Sequence, residues 1–185
     1  LTVDLAAALP HEARCRPETD EPQGLAHTWI AARTATASQP GGVALAGGVV
    51  GVAERLSDSV ALYDAATSEL LARVPLGPRL EDDAVRRGAR VFHSAGGTFQ
   101  GAFSCRSCHP GGHTDGLTYD FDIDGVGRDV VLNRSLHGVK GTAPFKWVGL
   151  NPTLARQCGP RFAMVLTRAD VFPDDQLDDL VAYIE

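Results

Sequence analysis

Residues 104–110, Ser-Cys-Arg-Ser-Cys-His-Pro, are the stretch from which the rest of this sequence is best interpreted. Cys105, Cys108 and His109 have the spacing C-x-x-C-H, the attachment signature of a c-type haem. Two thiols three positions apart on one helical turn can both reach the vinyl groups on one porphyrin edge, and the next residue, a histidine, then lies under the iron. The stretch therefore predicts one covalently attached haem c, with His109 as the proximal iron ligand.

The cysteine spacing also allows two other kinds of site, which the flanking sequence disfavours. A thioredoxin-like redox pair needs a helix-length pattern after it, whereas Pro110, Gly111 and Gly112 follow here. A zinc site needs a second ligand pair, and the remaining cysteines, Cys15 and Cys158, stand far away and alone. These two residues either pair as a disulfide or remain separate thiols, and nothing local decides between the two states.

Composition limits the partners and the location of the chain. The 185 residues carry a net charge of −6 at pH 7, which argues against nucleic acid or an anionic membrane and favours redox partner proteins with basic patches. No apolar run has the length of a membrane span. Covalent haem attachment implies an oxidising compartment, so we expect a periplasmic or otherwise extracytoplasmic location. The chain begins at Leu1 without an initiator Met or a signal peptide, which we expect of a processed or cut product.

The pattern along the chain predicts three segments. Residues 1–42 form a loop-rich extension, because prolines interrupt them repeatedly, with one short helix expected at residues 1–9. Residues 43–78 form a small antiparallel β element, since short apolar runs are separated there by turn residues at hairpin spacing. Residues 79–185 form the haem domain.

Two helices are expected to frame the haem domain. In residues 82–94 the apolar side chains recur on one face, and Gly88 lies four positions before Phe92, which puts a notch and an aromatic ring on the same side. Residues 174–184 repeat the helical pattern, with Pro173 at the start and Tyr183 on the flank of the apolar face.

These features together resemble two known groups. The glycine and aromatic of the first helix, the C-x-x-C-H motif, a downstream Met and a final Leu-x-x-x-Tyr helix resemble class I cytochrome c. The stretches at 108–116 and 141–149, with Gly127-Arg128 between them, are similar to the dihaem cytochrome c peroxidase and MauG group. Residues 43–78 resemble one blade of the YVTN-type β-propeller repeats that precede such haem domains in relatives of that group. The resemblance implies a mainly α fold: a cytochrome c-like haem domain with the loop-rich extension and the small β element.

One departure from that pattern matters for function. Dihaem enzymes of the group need two C-x-x-C-H motifs, and this chain has one. The second haem then lies on another haem-bearing chain or on a missing C-terminal half, or the protein is a single-haem carrier. The chain stops in mid-pattern at Tyr183-Ile184-Glu185, so we expect a cut or a continuation.

The residue on the other side of the iron would decide between electron transfer and catalysis. Met164 precedes the last helix much as the class I ligand does, and its thioether would favour the reduced iron. His137 is the alternative ligand, unless it is a loop histidine bonded to backbone. The alternative for Met164 is a core residue, since methionine commonly fills gaps in cores. His113 follows His109 too closely to reach the far face, so we expect it near a propionate or in solvent.

Other residues are expected around the cofactor. Trp147 is either a relay between cofactors or an apolar wall over the haem. Arg128 either holds a haem propionate or is solvated. Pro110, directly after the iron ligand, and Phe92, on the first helix, complete the predicted surroundings of the haem.

An acidic loop follows the haem motif. Asp120, Asp122 and Asp124 imitate the start of a calcium loop, but Val131 stands where the bidentate Glu should be. Dihaem peroxidases hold calcium between their domains, which keeps a calcium site as an alternative to a solvated acidic loop.

Three functions compete at this point. The first is a periplasmic electron carrier with His109 and Met164 on the iron. The second is the haem-bearing part of a peroxidase or MauG-like oxidase whose other haem lies elsewhere. The third is a structural haem subunit whose first forty residues or so wrap a neighbouring chain.

Overall fold

The computed structural model describes Thr2–Val3, Ile30–Ala32 and residues 34–185, except for 79, 99–100, 102, 121–129, 148 and 168–169. Side chains are not described for the two segments before residue 34, or for residues 161 and 164–167. The chain divides into two compact units, Leu1–Arg79 and Leu80–Glu185. Each unit is described by itself below.

The first unit contains a four-stranded antiparallel sheet in which each strand pairs with the next along the chain. Its strands are β3 (Pro40–Ala46), β4 (Val49–Glu54), β5 (Ser59–Asp64) and β6 (Leu70–Pro75). The apolar run from Val43 reverses at Gly47 and Gly48, whose φ angles of 54° and 77° are those that a tight hairpin turn requires. The short strands predicted for this region are thus confirmed.

A second, smaller sheet lies in the same unit. It pairs β1 (Thr2–Val3) with β2 (Ile30–Ala32) in antiparallel fashion. Thr2 and Val3 therefore lie in a strand and not in the short helix that the sequence suggested for residues 1–9.

An ion pair between a buried carboxylate and a partly exposed arginine stabilises the four-stranded sheet. The Glu54 side chain is completely buried, and its carboxylate accepts hydrogen bonds from Arg73 at 2.7 and 3.1 Å, from the Ala37 amide at 2.7 Å and from the Ser59 hydroxyl at 2.7 Å. The Arg73 guanidinium is the main reason that the pKa of Glu54 falls from its ordinary 4.5 to about 2. Glu54 lies in β4 and Arg73 in β6, so the ion pair connects the two strands that flank β5 as well as satisfying the charge.

We expect Glu54→Gln to destabilise the first unit by about 2 kcal/mol at neutral pH, because the charge-assisted hydrogen bonds from Arg73 are lost. The folded-state pKa is depressed, so Glu54 stabilises the unit above about pH 4.5, and this contribution disappears as the pH falls toward 2. Urea unfolding followed by circular dichroism between pH 2 and 7 measures both effects. The exposed Glu69→Gln is the control, and a Glu54→Gln curve that tracks the wild type over the whole range would contradict the assignment.

The second unit combines helices with a further pair of strands. In chain order its elements are α1 (Ala84–His93), α2 (Cys105–Cys108), β7 (Thr118–Asp120), β8 (Val130–Leu132), α3 (Leu154–Arg156), a π-helical stretch (Gln157–Thr167) and α4 (Asp174–Ile184). Strands β7 and β8 pair in antiparallel fashion. Asp83 caps the N-terminus of helix α1, because its carboxylate accepts the Arg86 amide at 2.8 Å.

Helices α1 and α4 pack closely because one of them carries a glycine at the contact. A β-carbon built on Gly88 would lie 1.9 Å from the carbonyl oxygen of Asp179, so any larger residue would push the helices apart. Next to this contact the Phe92 ring packs on Tyr183 with centroids 5.2 Å apart, and Arg87 forms two hydrogen bonds with the Asp179 carboxylate at 2.7 and 2.8 Å. The two predicted helices and the predicted glycine notch are confirmed.

We expect Gly88→Ala to lower the free energy of unfolding of the second unit by about 3 kcal/mol, since the steric conflict is with backbone and cannot be relieved by a rotamer change. Alanine would otherwise favour a helix by about 1 kcal/mol over glycine, so a loss of stability shows that packing decides. Thermal unfolding of Gly88→Ala beside the exposed control Val85→Ala tests this. Equal or higher stability of Gly88→Ala would mean that the helices are not in backbone contact.

The predicted fold class, a mainly α cytochrome c-like haem domain with a loop-rich extension and a small β element, is wrong. The described residues form three antiparallel sheets beside the helices, and one strand pair, β7 with β8, lies inside the unit that was expected to be helical. The short runs around Tyr119 and Val131 are only three residues long, and a period of two cannot be recognised in so few positions. The fold is a mixture of helix and antiparallel sheet.

Candidate functional site

The C-x-x-C-H residues lie on one short helical turn. Helix α2 begins after Ser104, whose amide donates to the Ser107 hydroxyl at 3.0 Å, and it ends where the His109 amide donates to the Cys105 carbonyl at 3.0 Å. The turn brings the side chains of Cys105 and Cys108 to one region of the surface, and both thiols are free. The arrangement predicted from the spacing is thus present in the backbone.

A third thiol lies in the surroundings of this turn. Burial is the main cause that raises the pKa of Cys105 to about 12 and that of Cys158 also to about 12, and Cys105 is a further contributor to the shift at Cys158. No pattern in the sequence indicates this proximity, because the two cysteines are far apart along the chain and Cys158 lies in an irregular π-helical stretch. Cys15, for which a disulfide with Cys158 was one of two open alternatives, lies outside the described residues.

The imidazole of His109 is held in one tautomer. Its Nδ1 lies 3.1 Å from the carbonyl oxygen of His113, and because a carbonyl can only accept, Nδ1 carries the hydrogen. Burial lowers the pKa of His109, so the ring is neutral at physiological pH. The Arg134 backbone also contacts the ring and opposes this shift. With the hydrogen on Nδ1, the lone pair lies on Nε2, which is the tautomer in which a histidine binds iron or another metal.

A polar cluster surrounds the carbonyl of Cys108. That oxygen accepts the Asp115 amide at 3.1 Å and the side-chain amide of Asn133, which also donates to the Asp115 carboxylate at 3.1 Å. The Tyr119 hydroxyl donates to the other oxygen of Asp115. This hydrogen bond is the main reason that the pKa of Asp115 is lowered and that of Tyr119 is raised, and the Tyr119 hydroxyl also lies beside the Cys108 thiol. Sequence reasoning missed all three residues.

The two histidines after the motif stack on each other. The rings of His113 and His137 are 3.9 Å apart and nearly parallel, and Nε2 of His137 donates to the Gly111 carbonyl at 2.8 Å. This geometry matches the alternative in which His137 is a loop histidine bonded to backbone. Its Nε2 would have to leave Gly111 before it could bind iron.

Trp147 has a defined position beside strand β8. Its indole nitrogen donates to the Leu132 carbonyl at 3.1 Å, and the Arg134 guanidinium lies over its ring at 3.7 Å. Half of the side chain is exposed. The structure thus fixes the indole in a place where one face can be covered by another group.

The other predicted site residues divide into two sets. Pro110 opens the turn Pro110–Gly112 directly after His109, while Phe92 is buried in the α1–α4 contact. The structure does not describe the remaining predicted groups, which are Arg128, the Met164 side chain, and Asp122 and Asp124 of the acidic loop.

The residues present fit a haem group. Two free thiols share one turn, and the Nδ1 hydrogen of the adjacent imidazole leaves the lone pair on Nε2. Four large apolar side chains are about half exposed. They lie on segments that are next to the motif or are hydrogen-bonded to its neighbours, as expected of side chains that would line an apolar macrocycle. They are Phe103, Leu117, Leu132 and Trp147.

Comparison with known proteins places the chain near hydrazine synthase. No protein-family model matches it. It is 31% identical over 127 residues to the hydrazine synthase subunit gamma of Kuenenia stuttgartiensis, a match that covers 63% of this chain and 35% of the relative. A solved hydrazine synthase structure from the same organism, under xenon pressure, superposes with a TM-score of 0.50 and 29% identity over 57% of this chain and 36% of that one. The chain therefore spans about a third of the length of the relatives it matches.

These matches overturn the family that the sequence suggested. The chain is similar to a hydrazine synthase subunit, and its identification with class I cytochrome c and the dihaem cytochrome c peroxidase and MauG group, preceded by a YVTN-type blade, is wrong. Besides the C-x-x-C-H motif, the features behind that identification were a glycine notch, an aromatic, a downstream Met, a final Leu-x-x-x-Tyr helix and short turn motifs. Such features follow from close helix packing and tight turns, which recur in unrelated folds.

The relative is by name one subunit of an enzyme, which agrees with the expectation of protein partners. Among the described residues, no helix combines the length and the apolar character that crossing a membrane requires.

Proposed function

We propose that this chain attaches one haem c covalently through Cys105 and Cys108, with His109 as the proximal ligand, and transfers electrons within an oxidoreductase assembly similar to hydrazine synthase. The observation that carries the proposal is the α2 turn. It presents two free thiols and, directly after them, an imidazole whose Nδ1 is engaged by the His113 carbonyl.

The protein's part in this function is to hold and tune the cofactor. The thiols of Cys105 and Cys108 would each form a thioether to one vinyl group, which prevents dissociation. The His113 carbonyl makes Nε2 of His109 a better donor by accepting from Nδ1. A bound haem supplies an iron that cycles between the ferric and ferrous states and so carries one electron.

Two further residues belong to this proposal. Met164 is the proposed distal ligand, since the competing His137 already donates to Gly111. Trp147 is proposed as an apolar wall, because its indole is fixed by Leu132 and is half exposed.

The compartment and the partners follow from the same chemistry. Covalent haem attachment takes place outside the cytoplasm, so we place the protein in the periplasm or an equivalent compartment. The net charge of −6 favours redox partners that present basic patches. The match to a named subunit supports a partner chain, which we propose carries a further redox centre.

A second candidate is that the chain is a segment of a catalytic subunit. The chain covers only 35% of its relative, so the residues that complete an active site can lie in the other two thirds. A haem count on the native material separates the two functions. One haem per assembled protein supports electron transfer alone, and a second haem together with substrate turnover supports the catalytic segment.

We expect the chain, exported to a periplasm that has haem attachment machinery, to carry one covalent haem that acidified organic solvent does not extract. Cys105→Ser and Cys108→Ser should each leave a single thioether, and the double variant should lose covalent haem completely, since each thiol forms one bond. Intact mass and the pyridine haemochrome spectrum measure this. Cys15→Ser is the control, and a colourless wild-type chain would refute the proposal.

We expect Met164→Ala to convert the iron from a six-coordinate to a five-coordinate or water-bound state and to lower the reduction potential, because a thioether ligand stabilises ferrous iron. The thioether-to-iron charge-transfer band and a redox titration report the change. His137→Ala is the matched comparison. If His137→Ala abolishes the low-spin features of the haem spectrum while Met164→Ala leaves them intact, the distal ligand is His137.

A further inference from the structure

We propose that Asn133, acting with Asp115 and Tyr119, is a positioning residue that fixes the Cys108–His109 peptide and so sets the orientation in which His109 meets the cofactor. We call these three residues the Cys108 clamp. The inference rests on the proposed function, since it concerns how the chain holds a covalently attached haem.

The hydrogen bonds of the Asn133 side-chain amide have one possible direction. Both neighbours of the Asn133 side-chain amide, the Cys108 carbonyl and the Asp115 carboxylate, are acceptors. Only the NH₂ group can satisfy both of them, so the amide has a single possible orientation. Because the Tyr119 hydroxyl donates to the same carboxylate, Asp115 remains an ionised acceptor and the cluster has one arrangement of donors and acceptors.

The backbone of Asn133 is itself held by hydrogen bonds on both sides. Its backbone amide donates to the Leu117 carbonyl at 2.9 Å, and its own carbonyl accepts the Thr114 hydroxyl at 2.9 Å. Asn133 follows β8 directly, so the side chain extends from the end of a paired strand. A residue anchored on both sides can hold a partner in place instead of following its movements.

The clamp binds the Cys108 carbonyl oxygen, directly before the proposed iron ligand. The Cys108 carbonyl belongs to the peptide bond that leads into His109, and as a terminal carbonyl of a four-residue helix it has no partner within that helix. The clamp supplies the partner, and this fixes the peptide plane. The bond from His109 Nδ1 to the His113 carbonyl then fixes the ring about its own axis. The two constraints together determine where Nε2 points.

The test compares Asn133→Leu with the wild type, both exported and loaded with haem. Leucine has a similar volume but cannot donate, so the Cys108 carbonyl and the Asp115 carboxylate lose a shared partner. We expect a roughly tenfold loss in the fraction of chains that carry both thioethers, in line with other outer-shell substitutions at metal ligands. In the loaded fraction, the hyperfine-shifted NMR resonances of the His109 ring should move and the reduction potential should change.

Asn151→Leu is the matched control. Asn151 is a buried asparagine of the same unit whose side-chain amide donates to Gln157, outside the motif turn. We expect it to lower the melting temperature while leaving the His109 resonances and the potential at their wild-type values. Tyr119→Phe, which removes one hydroxyl, covers the case in which Asn133→Leu does not fold, and should shift the same resonances in the same direction by less.

The outcomes separate the inference from the function on which it rests. A wild-type chain without covalent haem removes both. A wild type with haem, beside an Asn133→Leu variant with unchanged attachment, resonances and potential, overturns the clamp and leaves the proposed function standing. Equal shifts in Asn133→Leu and Asn151→Leu also overturn it, because the effect would then be general destabilisation.

Discussion

The candidate site depends on one carbonyl oxygen, that of Cys108. Helix α2 is four residues long and cannot stabilise itself, since the first hydrogen-bonded turn fixes several residues for a single bond. The turn is stable because residues distant in sequence complete its hydrogen bonds. The Asp115 amide and the Asn133 side chain both meet the Cys108 oxygen, and they tie the turn to the β7–β8 strand pair. Strands that sequence analysis could not detect therefore support the motif that it detected most readily.

The same logic of local structure supported from a distance applies to both units. In the first unit a buried carboxylate, Glu54, is tolerated because four hydrogen bonds reach it, two of them from Arg73. Removing a carboxylate from water without such partners would cost several kcal/mol, so the pair must assemble as the sheet forms. In the second unit α1 and α4 approach closely only because position 88 lacks a side chain. Each unit thus contains a contact whose substitution is expected to lower the stability of that unit.

How much the sequence could predict depended on the length of the signal. Helices α1 and α4 were predicted nearly to the residue, because ten or eleven residues show several repeats of the 3.6-residue period. The β3–β6 strands were also predicted, since glycine pairs and acidic turns mark their ends. Strands β7 and β8 were missed, and so was the combination of helices and antiparallel sheet within the second unit. The proximity of Cys158 to Cys105 and the role of Asn133 were missed as well, because contacts between distant residues leave no periodic trace.

The error in family has a related physical cause, and it bears on what the motif can establish. A C-x-x-C-H turn reports local chemistry: the thiols, the imidazole and the spacing that a porphyrin edge requires. It reports nothing about the fold around it, since the same site can be supported on different scaffolds. The similarity to a hydrazine synthase subunit supplies the complementary information, a context with partner chains, but over only a third of the relative. The proposed function therefore depends on the residues that hold the motif in its surroundings. In this chain these are the residues that hold His109: the His113 carbonyl binds its ring, and the Asn133 side chain binds the peptide that precedes it.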